Sequence, residues 1–205
     1  MSFMGRRRHY RPEFSPGGAF MRSFLILVSL CFSAVALADT FPPEGMVVEA
    51  LPVTGSARGV KATAIIRSKP EAVWHTLTDY PAFPEYMPHV LESKIQRQEG
   101  DVSWIVIKFS VTLKNVNYML RIVHECNLKP WKIAWSRVEG DLKSIDGHYV
   151  LHEIPEGTRL EYSEMVDSGW FVPGFIQEAL IKRSIPNLYK AVAERSAKYE
   201  SDQSK

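Results

Sequence analysis

Cysteine is scarce: the 205 residues hold two, Cys31 and Cys126. Cys31 falls inside an apolar run near the start, and with that run removed Cys126 stands alone, so no intrachain disulfide can form. Stability must then come from a core of adequate size, for which the remaining length suffices as one domain. Leu30, not a small residue, precedes Cys31, which argues against lipid attachment there. With one cysteine left and no glycine-rich nucleophile turn, His124-Glu125-Cys126 gives no basis for a Cys–His hydrolase, although His124 and Cys126 share a strand face. Metal-ligand spacing is missing too. His148 and His152 would meet on a helix, but the alternation around them is that of a strand, where four residues span roughly 13 Å, too far to hold one ion together. No internal repeat interrupts the chain.

A long hydrophobic run and an excess of positive charge are likewise lacking. Phe24 to Leu37 is uncharged and apolar, but shorter than the ~20 residues of a spanning helix. It follows Met21-Arg22 and ends in Ala36-Leu37-Ala38, the pattern of a secretory signal peptide cleaved after Ala38. The competing reading is an uncleaved membrane anchor. Residues before Met21, Arg6-Arg7-Arg8 included, read as an over-long basic region or a misassigned start. These arginines stand too far from the apolar core for a twin-arginine signal. Five of the 25 basic and one of the 23 acidic side chains precede Asp39, which leaves 20 against 22, a net of −2 in place of +2. That balance excludes the strong positive field of a nucleic-acid binder. The expected location is periplasmic or secreted.

The rest divides into a Pro- and Gly-rich tether at 39–57, with at most a short edge strand from Met46-Val47-Val48, a single domain at 58–200 and a disordered tail at 201–205. Lys61 to Arg67 reads as a strand. Ser68-Lys69-Pro70-Glu71 then opens a helix to about Thr78, with Ser68 as cap, Glu71 as its capping-box partner and Pro70 in the first turn. Asp79-Tyr80-Pro81 ends it, and Phe83-Pro84-Glu85-Tyr86-Met87-Pro88 reads as a short helical turn or structured loop. Period-two segments follow: His89 to Gln98, Val102 to Leu113, Val116 to Cys126, Lys132 to Val138, Gly147 to Ile154 and Arg159 to Val166. Pro155-Glu156-Gly157-Thr158 makes a tight turn between the last two. Such spacing without intervening helices implies an antiparallel meander. Pro173 to Tyr199 closes the chain as a long amphipathic helix. Val172, Ile176, Ala179 and Leu180 form an early stripe, Ile181, Ile185, Leu188 and Val192 the main face, and Pro186 kinks it between them. The expected fold is α+β: a curved antiparallel sheet wrapped around a long C-terminal helix.

Aromatic side chains are more numerous than a small core needs. Trp74, Trp104, Tyr118 and Trp135, with Tyr149, Tyr162 and Phe175, either fill the concave face or line a cavity there. Tyr80, Phe83, Tyr86, Trp170 and Phe171 sit in broken segments at what would be one end of the sheet, and suit a pocket mouth or a membrane contact. Glu161 and Glu164 face opposite sides of a strand. Glu164, in register with Leu160 and Tyr162, points inward, where a carboxylate requires Arg121 or Arg137 as partner or a raised pKa. Arg121, Arg137 and Glu164 are the candidates for orienting a ligand head group.

The run Ala64-Ile65-Ile66 through Lys69-Pro70-Glu71-Ala72-Val73-Trp74, then Asp79-Tyr80-Pro81-Ala82-Phe83 and Met87-Pro88-His89-Val90, resembles the opening of the START-like helix-grip superfamily. Within it the nearest group is the polyketide cyclase/dehydrase and coenzyme Q-binding family. The resemblance continues in Gly147-x-Tyr149-x-Leu151, Thr158-x-Leu160-x-Tyr162, and Ile185-Pro186 with Leu188. It implies a hydrophobic tunnel for lipids, quinones or polyketides, and carries over no catalytic residue, because that superfamily shares no single active site. A signal peptide sets the chain apart from mitochondrial quinone-binding members. The expectation is a carrier for an amphipathic hydrophobic molecule, with possible membrane contact and with no metal or cofactor assigned. A cyclase, dehydrase or lipid-modifying enzyme on the same fold, or an interaction module with a filled core, stand as alternatives.

Overall fold

Strand segments rich in Val, Ile and aromatics, each broken by a turn signal, pair in the computed structural model as eight antiparallel strands in the order β1-β2-β8-β7-β6-β5-β4-β3. They are β1 Val47–Thr54, β2 Ala57–Ile66, β3 Val90–Glu99, β4 Val102–Val111, β5 Lys114–Glu125, β6 Trp131–Gly140, β7 Ser144–Ile154 and β8 Gly157–Asp167. The structure describes residues 43, 45–111, 114–171, 175, 178 and 180–205. The expected leader with its cleavage after Ala38, and Val172, Pro173, Ile176 and Ala179 of the closing helix, lie outside the described residues.

After β2 the chain leaves the sheet through α1 (Pro70–Thr78), a 3-10 turn at Tyr80–Ala82 and α2 (Phe83–Tyr86), and re-enters at the opposite edge as β3. The meander then returns strand by strand until β8 pairs with β2, from Arg58 against Val166 to Ile66 against Thr158. Gly157 opens β8 at φ +135°, and a Cβ there would meet the Ile66 carbonyl oxygen at 2.4 Å, so the turn requires glycine.

Three expectations change. The segment 39–57 is less a tether than expected, because β1 runs the full Val47–Thr54 and pairs with β2. The capping box does not form. Lys69 is the N-cap of α1, while Ser68 is buried and its carbonyl accepts a 2.7 Å hydrogen bond from the Thr158 hydroxyl. Ser68 still belongs to the extended chain leaving β2, one place too early to reach the first turn. A carboxylate from the other end of the chain serves instead: the Lys69 N–H donates to Glu200 Oε1 at 2.7 Å.

The third change is in the closing helix. A π turn at Leu180–Ser184 precedes α3, Ile185–Gln203, with Pro186 in the first turn of α3. Proline brings no N–H and crowds the preceding turn, so the helix widens before it and resumes after it. Residues 201–203, expected as tail, are the last turn of α3. Its buried face is Ile185, Tyr189, Val192 and Ser196, with Leu188 at the margin. The Tyr189 hydroxyl lies 3.0 Å from the carbonyl oxygens of both Ala62 and Leu160, and Ser196 meets Thr76 of α1 at 3.1 Å. Together α1 and α3 cover the concave face of the sheet at the Gly157 end of β8.

Candidate functional site

Register across the sheet decides which side chains share the concave face. Val60 of β2, Glu164 of β8, Gly147 of β7, Trp135 of β6 and Ile122 of β5 lie in one row. The next row toward the helices is Ala62, Tyr162, Tyr149 and Ile133. Further along, Ala64, Leu160 and Leu151 are fully buried under α1 and α3. In the opposite direction Val60, Glu164, Gly147, Val166 and Arg137 all keep partial solvent access although they face inward. Ile145, Leu120 and Tyr118 beside them are buried, so the concave side is filled at the Gly157 end and is less completely covered around Val60, Glu164 and Val166, a shallow recess toward Asp167.

Glu164 is the ionisable group of that recess. Burial pushes its carboxyl up to about 7, while the Tyr162 hydroxyl and the Trp135 indole N–H pull it back down. Among the described residues, no lysine or arginine contributes to that balance. The indole N–H aims its positive end at the carboxylate but makes no hydrogen bond of full geometry, and is buried without a partner. Trp135, Tyr149 and Tyr162 pack around the acid with ring centroids 5.0, 6.0 and 5.3 Å apart. Burial and the charge of Glu164 push the hydroxyls of Tyr149, Tyr162 and Tyr118 well above the usual tyrosine range.

Gly147 makes this arrangement possible, and the sequence reading noted it only as part of a family motif. A Cβ there would lie 2.5 Å from Trp135 Cζ2 and from the Ser163 carbonyl oxygen, so only glycine lets the indole lie across β7 toward Glu164. The available signal was a glycine in the middle of a strand, which marks a close approach.

The structure gathers Trp135, Tyr149, Tyr162 and Glu164 into one site, with Tyr118 close enough to Glu164 to feel its charge. Arg137 faces inward one row away; its Nη2 donates to the Gly140 carbonyl at 2.8 Å and its Nε is buried without a partner. Two other candidates lie on the convex face. Arg121 is exposed, and Trp104 carries the Arg97 guanidinium 4.1 Å above its ring. Ile105 and Ile107 take the inward positions of β4 instead. His148 and His152 also face outward, His152 Nε2 lying 3.2 Å from Glu161.

The loop aromatics do not form one mouth. Tyr80 is buried and its hydroxyl meets His124 Nε2 at 2.7 Å, near the C-terminal end of β5. Phe83 packs on Tyr80 and Tyr86, and the Tyr86 hydroxyl donates to the Thr76 carbonyl. Trp74 joins this end through edge contacts with Trp131 and His124. Trp170 instead stacks under the Lys114 ammonium, 3.3 Å from the ring centre, at the N-terminal end of β5. The two groups are thus separated by the length of that 12-residue strand, roughly 35 Å. Phe171 and Phe175 lie outside the core, 87% and 73% exposed.

A sequence profile described as polyketide cyclase / dehydrase and lipid transport matches residues 66–193. No curated protein sequence matches the chain. Among solved structures, a STAR-related lipid transfer protein from Xanthomonas axonopodis superposes with a TM-score of 0.66 at 16% identity, covering 79% of this chain and 98% of that one. Human STARD10 gives 0.60 at 16% identity over 92% and 82% of the two chains. The Zhui aromatase/cyclase from Streptomyces sp. R1128 gives 0.59 at 15% identity over 69% and 94%. These likenesses share the curved sheet gripping a C-terminal helix, and the profile spans most of that domain, so the chain belongs to the polyketide cyclase / dehydrase and lipid transport family.

Proposed function

We propose that this protein is an exported carrier that holds an amphipathic hydrophobic molecule, a lipid, isoprenoid quinone or polyketide-like compound, in the recess between sheet and helix. One observation carries the reading: inward-facing Val60, Val166 and Glu164 remain partly accessible while the same face is fully packed a few residues away. An apolar wall of that kind gains about 0.8 kcal/mol for each ligand methylene it removes from water. Export is inferred from the apolar run and Ala36-Leu37-Ala38. Native mass spectrometry of protein recovered from the periplasm, followed by solvent extraction, tests both parts. The expected result is a chain beginning at Asp39 that retains an extractable amphiphile. A full-length chain confined to the cytoplasm removes the export claim, and a chain that neither retains nor binds any lipid or quinone removes the carrier.

A second reading, a cyclase or dehydrase on the same fold, is favoured by one feature: a carboxyl poised at about 7 beside tyrosine hydroxyls suits proton transfer. It predicts turnover of a poly-ketone substrate that Glu164→Gln abolishes without loss of binding.

A further inference from the structure

We infer that the polar end of the ligand is an uncharged hydrogen-bond acceptor, a carbonyl-type oxygen received by the Trp135 N–H and the Glu164 carboxyl, and that a cationic head is refused. This rests on the carrier reading and narrows it.

The unmet hydrogen-bonding capacity of the recess consists of donors. Trp135 Nε1 is buried without a partner, and an indole N–H can only donate. Arg137 Nε, in the adjoining row, is likewise buried and unpartnered. A protonated carboxyl adds one O–H donor, and burial favours that form of Glu164 up to about neutrality. An oxygen with two lone pairs satisfies two of these donors at once, at the place where Gly147 lets the indole approach the acid.

A cluster of tyrosines and a tryptophan around a carboxylate otherwise invites comparison with cation recognition, but the geometry opposes it. A cation needs open ring faces. Centroids 5.0, 5.3 and 6.0 Å apart are those of rings in mutual contact, with no space between them for an ammonium group. A carboxylate head is disfavoured for a separate reason, since it would confront Glu164 whenever that acid ionises.

The same geometry makes binding depend on pH in one direction. Among the described residues, the groups facing Glu164 are Tyr162 on its own strand, Tyr149 on β7, Trp135 on β6 and Tyr118 on β5, with Tyr189 of α3 behind Tyr149 and Arg137 one row away on β6. The tyrosines are all shifted upward by burial, and tryptophan does not titrate. Glu164 alone of this set changes charge between pH 6 and pH 8.5. Its ionised form offers lone pairs to an acceptor that needs a donor.

The test compares three probes with matched tails, 2-dodecanone, dodecyltrimethylammonium and dodecanoate, titrated into the purified protein at both pH values and followed by calorimetry. The ketone should bind best, and about tenfold more weakly at pH 8.5 than at pH 6. Glu164→Gln keeps an N–H donor at either pH, so it should bind the ketone and lose the pH dependence. Trp135→Phe should weaken the ketone about fivefold, with circular dichroism confirming the fold. Equal or tighter binding of the ammonium or carboxylate probe, or a pH-independent ketone affinity in the parent, overturns the inference and leaves the carrier standing. If none of the three binds, the carrier reading falls and the inference falls with it.

Discussion

Glu164 titrates differently in the folded and unfolded chains, and stability must follow. Its folded value of about 7 lies above the ordinary 4.5, so the folded state holds the proton more tightly between those values. The parent is least burdened below pH 4.5 and loses stability as the pH rises through 7, by about 3 kcal/mol in all. Glu164→Gln should therefore raise the urea midpoint at pH 8.5 and bring no comparable gain at pH 4.5. The same gain at both pH values would show that the acid is ionised throughout. Gly147→Ala probes the neighbouring contact. Its new methyl must displace the Trp135 ring or the Ser163 carbonyl, at a cost of about 1–3 kcal/mol, with a changed tryptophan emission. The inward placement of Glu164 followed from strand register with Leu160 and Tyr162 and needed no structure. Trp104 and Arg121 were open to the same argument: Arg121 alternates with Leu120 and Ile122, and Trp104 shares its face of β4 with Lys108 and Ser110. What obscured them was composition: Trp104 and Val106 make the outer face of β4 apolar at its start, and only Lys108 and Ser110 further along mark it as solvent-facing.

At the scale of elements, the ends of the sheet and the seat of α3 are held by single polar groups. Asp167 accepts hydrogen bonds from Ser56 Oγ at 2.5 Å and from the Gly169 N–H at 3.0 Å, and meets Lys143 Nζ at 3.0 Å. These tie the β1–β2 turn, the approach to β7 and the exit of β8 together. They hold its carboxyl down to about 2 from an ordinary 3.8, the Ser56 bond contributing most. A depressed acid stabilises the fold above its unfolded value and loses that contribution as pH falls toward the folded one. The parent should therefore exceed Asp167→Asn in thermal midpoint at pH 6, with the gap shrinking below about pH 4 and nearly closed near pH 2. A constant gap would mean that the amide fails for steric reasons alone. In α3, Tyr189→Phe removes the hydroxyl that reaches Ala62 and Leu160 and should cost about 1–2 kcal/mol in urea unfolding, with native circular dichroism retained. The apolar stripe through Ile185 and Val192 was legible from spacing. Tyr189 and Ser196 were not, because a polar atom satisfied by a distant strand or helix leaves no trace in a hydrophobic pattern.

Across the whole molecule, the order of strands and helices was readable because every turn signal fell between period-two segments. Where the aromatic loops meet was not readable, because it depends on how far β5 carries the chain. That distance separates two jobs which the sequence had merged. Phe83 is half-buried between Tyr80 and Tyr86 against the core, so Phe83→Ser gives up ring contacts there and should lower the unfolding free energy by about 2 kcal/mol. Phe171 and Phe175 are largely exposed, and the double change Phe171→Ser with Phe175→Ser should leave the unfolding free energy within about 0.5 kcal/mol of the parent. Two exposed rings beyond the Lys114–Trp170 pair add nothing to the core, and on the carrier reading proposed above they suit insertion among lipid head groups. A carrier without them should still take up a fluorescent lipid analogue from dilute solution with unchanged affinity. Its transfer of that analogue between vesicles should slow several-fold, because the bilayer encounter limits transfer while the recess sets affinity. Loss of affinity with loss of transfer would move the entrance to the recess to these rings. Unchanged transfer would show that the carrier meets the bilayer with another surface.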